Sequence, residues 1–170
     1  MSKIFIGLLS LILSGCHGYP TAVTPVKDFE IEKYLGKWYE IARLDHSFER
    51  GLEKVTAEYS LQDNGTVKVV NSGFSKSSNE WKKAVGKAYL ARETDEGYLK
   101  VSFFGPFYSS YVIFGLDHEH YQYAFISGPD ESYLWLLSRA PSVEKDVLTL
   151  FVKTAEKLGF KTEELIYVQH

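Results

Sequence analysis

The chain has 170 residues, with 19 Lys and Arg against 22 Asp and Glu, giving a formal charge of −3. This length suits one domain able to bury its own core, and the acidic balance argues against nucleic acid as a partner. A single cysteine excludes a disulfide framework, while 12 Tyr and 11 Phe favour pleated, half-buried strands.

Residues 1–15 read as an export signal that is removed. Lys3 is followed by an apolar run from Ile4 to Leu13 and then by small residues. The run is short of the ~20 apolar residues that span a bilayer. Leu13-Ser14-Gly15-Cys16 resembles the lipobox of bacterial lipoproteins. That resemblance implies a diacylglycerol on the Cys16 thiol, cleavage before it and an acylated new amino terminus. Two or three chains on one residue make a durable membrane anchor, where one binds only marginally. An ordinary export signal with an incidental cysteine is the competing reading. Residues 16–27 then form the lipidated N-terminus and a polar tether carrying Pro20 and Pro25, followed by one domain over 28–170.

Beyond Phe29 the pattern changes. Val55, Ala57, Tyr59 and Leu61 alternate with Lys54, Thr56, Glu58, Ser60 and Gln62, the period of a strand with one buried face. Strands are expected near 37–46, 54–62, 66–74, 82–91, 98–104, 110–117, 121–127 and 133–139. Asp63-Asn64-Gly65, Glu93 to Gly97 and His118 to His120 read as tight turns. Ser47 to Leu52, Ser75 to Trp81 and Gly105 to Ser109 read as longer, irregular loops. Alternating tight and loose connections put them at opposite ends of an antiparallel meander. The expected fold class is therefore all-β: an eight-stranded antiparallel up-and-down barrel, closed so that no sheet edge is exposed. One helix follows, capped by Ser142 and ended by Gly159. Its stripe of Val143, Val147, Leu148, Phe151, Ala155 and Leu158 would pack outside the wall.

Gly36-Lys37-Trp38-Tyr39-Glu40-Ile41-Ala42-Arg43 resembles the Gly-x-Trp-Tyr opening of the lipocalins. Leu136-Leu137-Ser138-Arg139 resembles the arginine segment ending their last barrel strand, and Tyr111 to Asp117 resembles their middle motif, with Leu116-Asp117 in place of Thr-Asp. The resemblance covers about residues 28–168 and, with the lipobox, is nearest to the bacterial lipocalins, the outer-membrane lipoprotein group similar to apolipoprotein D. It implies structural roles for Gly36, Trp38, Tyr39, Asp117 and Arg139, with the Arg139 guanidinium over the Trp38 indole at the closed end.

Period-two reading with the family's inward parity points a set of residues into the barrel. Ala57, Tyr59, Val67, Val69, Ala84, Gly86, Ala88, Leu99, Val101, Phe103, Tyr111, Trp135 and Leu137 belong to it. The small ones leave a hollow without fixed charges, suited to the acyl chain of a fatty acid or lysophospholipid. A barrel plugged by Phe103, Trp135 and Tyr59 is the alternative. The aromatic run from Phe103 to Tyr108, with Phe48 and Leu52, would form an apolar open rim, near Arg43, Arg50 and Lys54. His17, His46, His118, His120 and His170 show no metal-ligand spacing, and no Gly-x-Ser-x-Gly elbow is present. Neither cofactor, metal nor catalysis is expected. The expectation is an outer-membrane lipid-binding protein facing the periplasm, since His17 is not the aspartate that retains many lipoproteins in the inner membrane. An anchored protein-interaction module is the alternative, and a homodimer stays open.

Overall fold

A computed structural model describes residues 18–92 and 95–170. The export signal, Cys16 and His17 lie outside the described residues. The chain builds a short helix α1 (Ile31–Tyr34) and then strands β1 (Gly36–Arg43), β2 (Leu52–Leu61), β3 (Val67–Ser75) and β4 (Glu80–Leu90). Next come β5 (Tyr98–Phe104), β6 (Phe107–Leu116), β7 (Tyr123–Ser127) and β8 (Leu134–Ser138), helix α2 (Lys145–Lys157) and a two-residue strand β9 (Ile166–Tyr167). Each strand from β1 to β8 pairs antiparallel with the next, and β8 pairs with β1, so the sheet closes into the eight-stranded barrel.

Two cores result. Inside, Trp38, Tyr59, Val67, Val69, Leu99 and Ile113 pack together. Outside, α2 buries Phe151 and Ala155 against Ala42, Val112, Phe125 and Leu136. The helix ends as its glycine dictates. Gly159 adopts φ +91°, its N–H donates to the Glu156 carbonyl and Phe160 N–H to that of Ala155, a Schellman closure.

Several expectations are corrected. Ser142 does not cap α2, which starts at Lys145 after Glu144, with no side-chain cap bond. The first strand ends at Arg43, leaving His46 in a loop. The expected irregular loop at Gly105 to Ser109 is a two-residue turn through a cis Gly105–Pro106 bond, because Phe104 and Phe107 pair across it. Helix α1 and strand β9 were not foreseen, being too short to carry a period. The tether is not free where it is described: Tyr19 and Val23 are buried in the outer core, and Val26 exchanges backbone hydrogen bonds with Gly97 and Ile113.

One irregularity governs the interior. The β1–β8 register shifts between Glu40 and Ala42. Such a bulge adds one residue and flips the parity beyond it. Ala42 therefore joins the outer core, while Arg43 turns inward opposite Trp135. The pairing of β1 with β2 ends at Tyr39–Thr56, and the C-terminal segment fills the seam above it. There β9 pairs with Ala42 and Arg43, Val168 N–H donates to Ile41, and Lys54 N–H to Gln169.

Candidate ligand site in the barrel

The closed end is built from the opening motif. Gly36 takes φ +93°, a left-handed conformation that favours glycine, and lies beside the Arg139 guanidinium. The Arg139 guanidinium lies 3.9 Å from the Trp38 ring centroid. It donates to the carbonyls of Lys37, Lys33 and Leu35 at 2.8–2.9 Å and to that of Tyr121 at 3.3 Å. Trp38 Nε1 donates to the Tyr34 carbonyl at 2.8 Å. Helix α1 is thereby held across the barrel base. Asp117 accepts from the N–H groups of His120 and Gln122 and fixes the β6–β7 turn. Tyr39 faces outward, with Lys37 Nζ 4.7 Å above its ring.

Above the base stand three phenols. Tyr111 Oη lies 2.6 Å from that of Tyr34 and 2.9 Å from that of Tyr59. Burial pushes the Tyr59 hydroxyl up to about 12 and holds Tyr34 and Tyr111 well above the usual phenol range, so this layer is neutral.

The ten residues expected to line a ligand divide by burial. Tyr59, Val69, Ala88 and Leu137 are buried in a packed floor, and Tyr111 is tied into the phenol layer. Ala57, Val101, Phe103 and Trp135 are half-buried, and Ala84 is exposed although it pairs with Asn71 on the inner face. Solvent therefore enters the upper half and stops at the phenols. Gly86 contributes no room: a Cβ there would stand 2.6 Å from the Ser102 carbonyl and 2.8 Å from the Phe103 ring.

The expectation of an interior without fixed charges is overturned. Glu40, Arg43 and Glu49 are buried together, at 5, 1 and 7 % exposure. Arg43 Nη1 donates to Glu40 Oε1 at 2.6 Å, and Arg43 Nη2 to the carbonyls of Glu49 and Leu52 at 3.1 and 3.4 Å. Trp135 Nε1 donates to Glu49 Oε1 at 2.9 Å. Arg43 Nε has only Glu49 Oε1, 3.9 Å away. Burial, before any neighbouring charge, raises both carboxyls, Glu40 the more strongly. Glu40 was legible in the sequence, two residues from Trp38 on the inward parity. Arg43 was not, because only the bulge turns it inward.

This cluster also clasps the loop over the mouth. His46 stacks on Tyr133 with centroids 4.1 Å apart and against Phe48 at 5.3 Å. Burial lowers its pKa, leaving the imidazole neutral. Arg50 and Lys54, expected near the mouth, do not face in: Arg50 Nε and Nη2 both donate to Asp45 Oδ2, and Lys54 lines the outer wall. The rim carries Phe104, Phe107 and Phe48 at 81, 78 and 62 % exposure.

Residues 29–170 match the family model described as a lipocalin-like domain. The chain is 58% identical over 169 residues to the outer membrane lipoprotein Blc of Vibrio cholerae, covering 99% of both chains. To Blc of Escherichia coli K12 it is 48% identical over 150 residues, covering 88% of this chain and 84% of that one. The insecticyanin structure from the tobacco hornworm superposes with a TM-score of 0.70 at 24% identity, covering 87% of this chain and 84% of that one, a likeness of fold. Barrel, base motif and sequence matches agree: the chain belongs to the lipocalin family.

Proposed function

We propose that the barrel holds the acyl chain of a lipid, a fatty acid or a lysophospholipid, in its upper half, with the polar head at the mouth. The observation that carries this reading is the division of the interior. Small side chains at Ala57 and Ala84 are reached by solvent, while Trp38 and the three phenols close the floor. Apart from Asn71 and the Glu40–Arg43–Glu49 cluster, the wall above the neutral base is apolar and suits an alkyl chain, each buried methylene of which contributes ~0.8 kcal/mol. Acylation at Cys16 would anchor the protein, and the names of the Blc relatives support an outer-membrane location, here on the periplasmic side. The protein acts as a non-catalytic carrier or scavenger.

Native mass spectrometry of the protein purified from membranes tests the reading. Co-purified fatty acid or lysophospholipid is expected. Ala57→Phe, which fills the upper half, should weaken a fluorescent fatty acid at least tenfold, worth about 1.4 kcal/mol, without moving the unfolding midpoint. Unchanged affinity would exclude the upper half as the site. One observation favours a second reading, a protein-interaction module: the exposed Phe104 and Phe107 make an apolar tip. A lipid-free barrel carrying a stoichiometric protein partner, or a homodimer lost on Phe104→Ser, would favour it.

A further inference from the structure

Outside the barrel, the wall formed by β1 to β4 carries a groove of about 500 Å³. Its floor follows from the register. Tyr39 pairs with Thr56, Thr56 with Ser72 and Ser72 with Lys83, so three hydroxyl-bearing side chains and a lysine form one row across four strands. Among the described residues, neither the Thr56 nor the Ser72 hydroxyl makes a hydrogen bond. Lys37 and Lys54 flank the row. None of the three lysines has a carboxylate within 4 Å among the described residues, whereas Lys76 and Lys82 nearby are paired with Glu53 and Glu80. Glu58 is the one acid in the lining. Three lysines thus outnumber Glu58, which stands directly opposite Lys37, and leave a net positive charge over the Thr56 and Ser72 hydroxyls, a field that a concave surface focuses. Trp81, 57 % exposed at the edge, offers a flat apolar face beside it.

We propose that this groove binds the phosphate group of a small phosphate-bearing molecule. Hydroxyls and ammonium groups donate to phosphate oxygens through charge-assisted bonds, and Glu58 is the one carboxylate side chain in the lining to oppose them. Trp81 covers the carbon skeleton. The N-terminal segment crosses the opposite side of the barrel, where Gly18 lies against Lys100 and Ser110 of β5 and β6. The groove therefore lies on the side of the barrel away from Gly18 and favours a soluble phosphoester over a bilayer headgroup. This site is separate from the barrel interior, and its test does not depend on lipid binding there.

Glycerol 3-phosphate is titrated into the purified protein at constant ionic strength, with amide shifts and calorimetry as readouts. Saturable shifts confined to Lys37, Thr56, Ser72 and Lys83 are expected. The double substitution Lys37→Gln and Lys83→Gln should weaken binding at least tenfold with the unfolding midpoint unchanged, since both side chains are exposed. Thr56→Val should weaken it with all charges kept. A second arm uses phosphatidylglycerol and phosphatidylcholine vesicles: pelleting abolished by the double substitution assigns the phosphate to a lipid headgroup, and binding of glycerol 3-phosphate alone assigns it to a solute. A response that chloride reproduces, affinity that survives the double substitution, or no binding in either arm overturns the proposal.

Discussion

Each end of the barrel is organised by one arginine, and the two are satisfied in opposite ways. At the base, Arg139 meets four backbone carbonyls and the face of Trp38, with no carboxylate among these contacts. Towards the mouth, Arg43 is almost wholly enclosed and held between Glu40 and Glu49. Backbone dipoles and a ring quadrupole neutralise a half-exposed cation without importing another ion. The buried one brings two carboxylates with it, and the group carries an excess acid whose charge burial disfavours. The base is thus a fixed plug, while the mouth is a polar clasp whose strength depends on protonation.

Removing each arginine separates these designs. Arg43→Met leaves two carboxyls buried without their cation and should cost about 3–5 kcal/mol in urea unfolding. A loss below about 1 kcal/mol would show that the clasp does not act as a unit. Arg139→Met gives up the ring contact and four hydrogen bonds but strands no charge. The expected cost is smaller, about 2–3 kcal/mol, with fluorescence of the base tryptophan altered. If Arg139→Met proves the more damaging, the contrast between the ends is wrong.

Protonation sharpens the comparison. Burial first, and for Glu40 the Glu49 charge next, lift both carboxyls above the ordinary value of 4.5. The folded protein therefore retains protons that the unfolded chain releases. Their stabilising contribution is complete below the ordinary value and is lost as pH rises through the raised one. Stability should fall as pH rises above the ordinary carboxyl value, and Glu40→Gln should flatten that slope while keeping a hydrogen bond from Arg43. A variant with the parent slope would remove Glu40 from the titration. Smallest of all, Phe104→Ser with Phe107→Ser should change stability by less than about 0.5 kcal/mol, because both rings already face solvent. A loss above 1 kcal/mol would mean that the tip packs on the barrel.

Much of this was written locally. The alternation through Val55, Ala57 and Tyr59, the turn at Asp63-Asn64-Gly65 and the stop at Gly159 are short-range chemistry, so barrel and helix could be read without coordinates. The base motif was equally legible, because the segments carrying Gly36, Trp38 and Arg139 resemble the opening and closing motifs of the lipocalins. Single-residue parity was not local. The bulge after Glu40 is decided by how β1 registers on β8, and it alone exchanges Ala42 for Arg43 inside the barrel. The depth of the hollow was likewise beyond the chain's pattern, since Gly86 looks like empty space until the Phe103 ring is seen lying on it. Sequence by itself determined which residues form strands, where they turn and which family they build, because those preferences act between near neighbours. Tertiary structure decided which charges are enclosed and how much room remains, because both depend on register and packing between strands far apart in the chain.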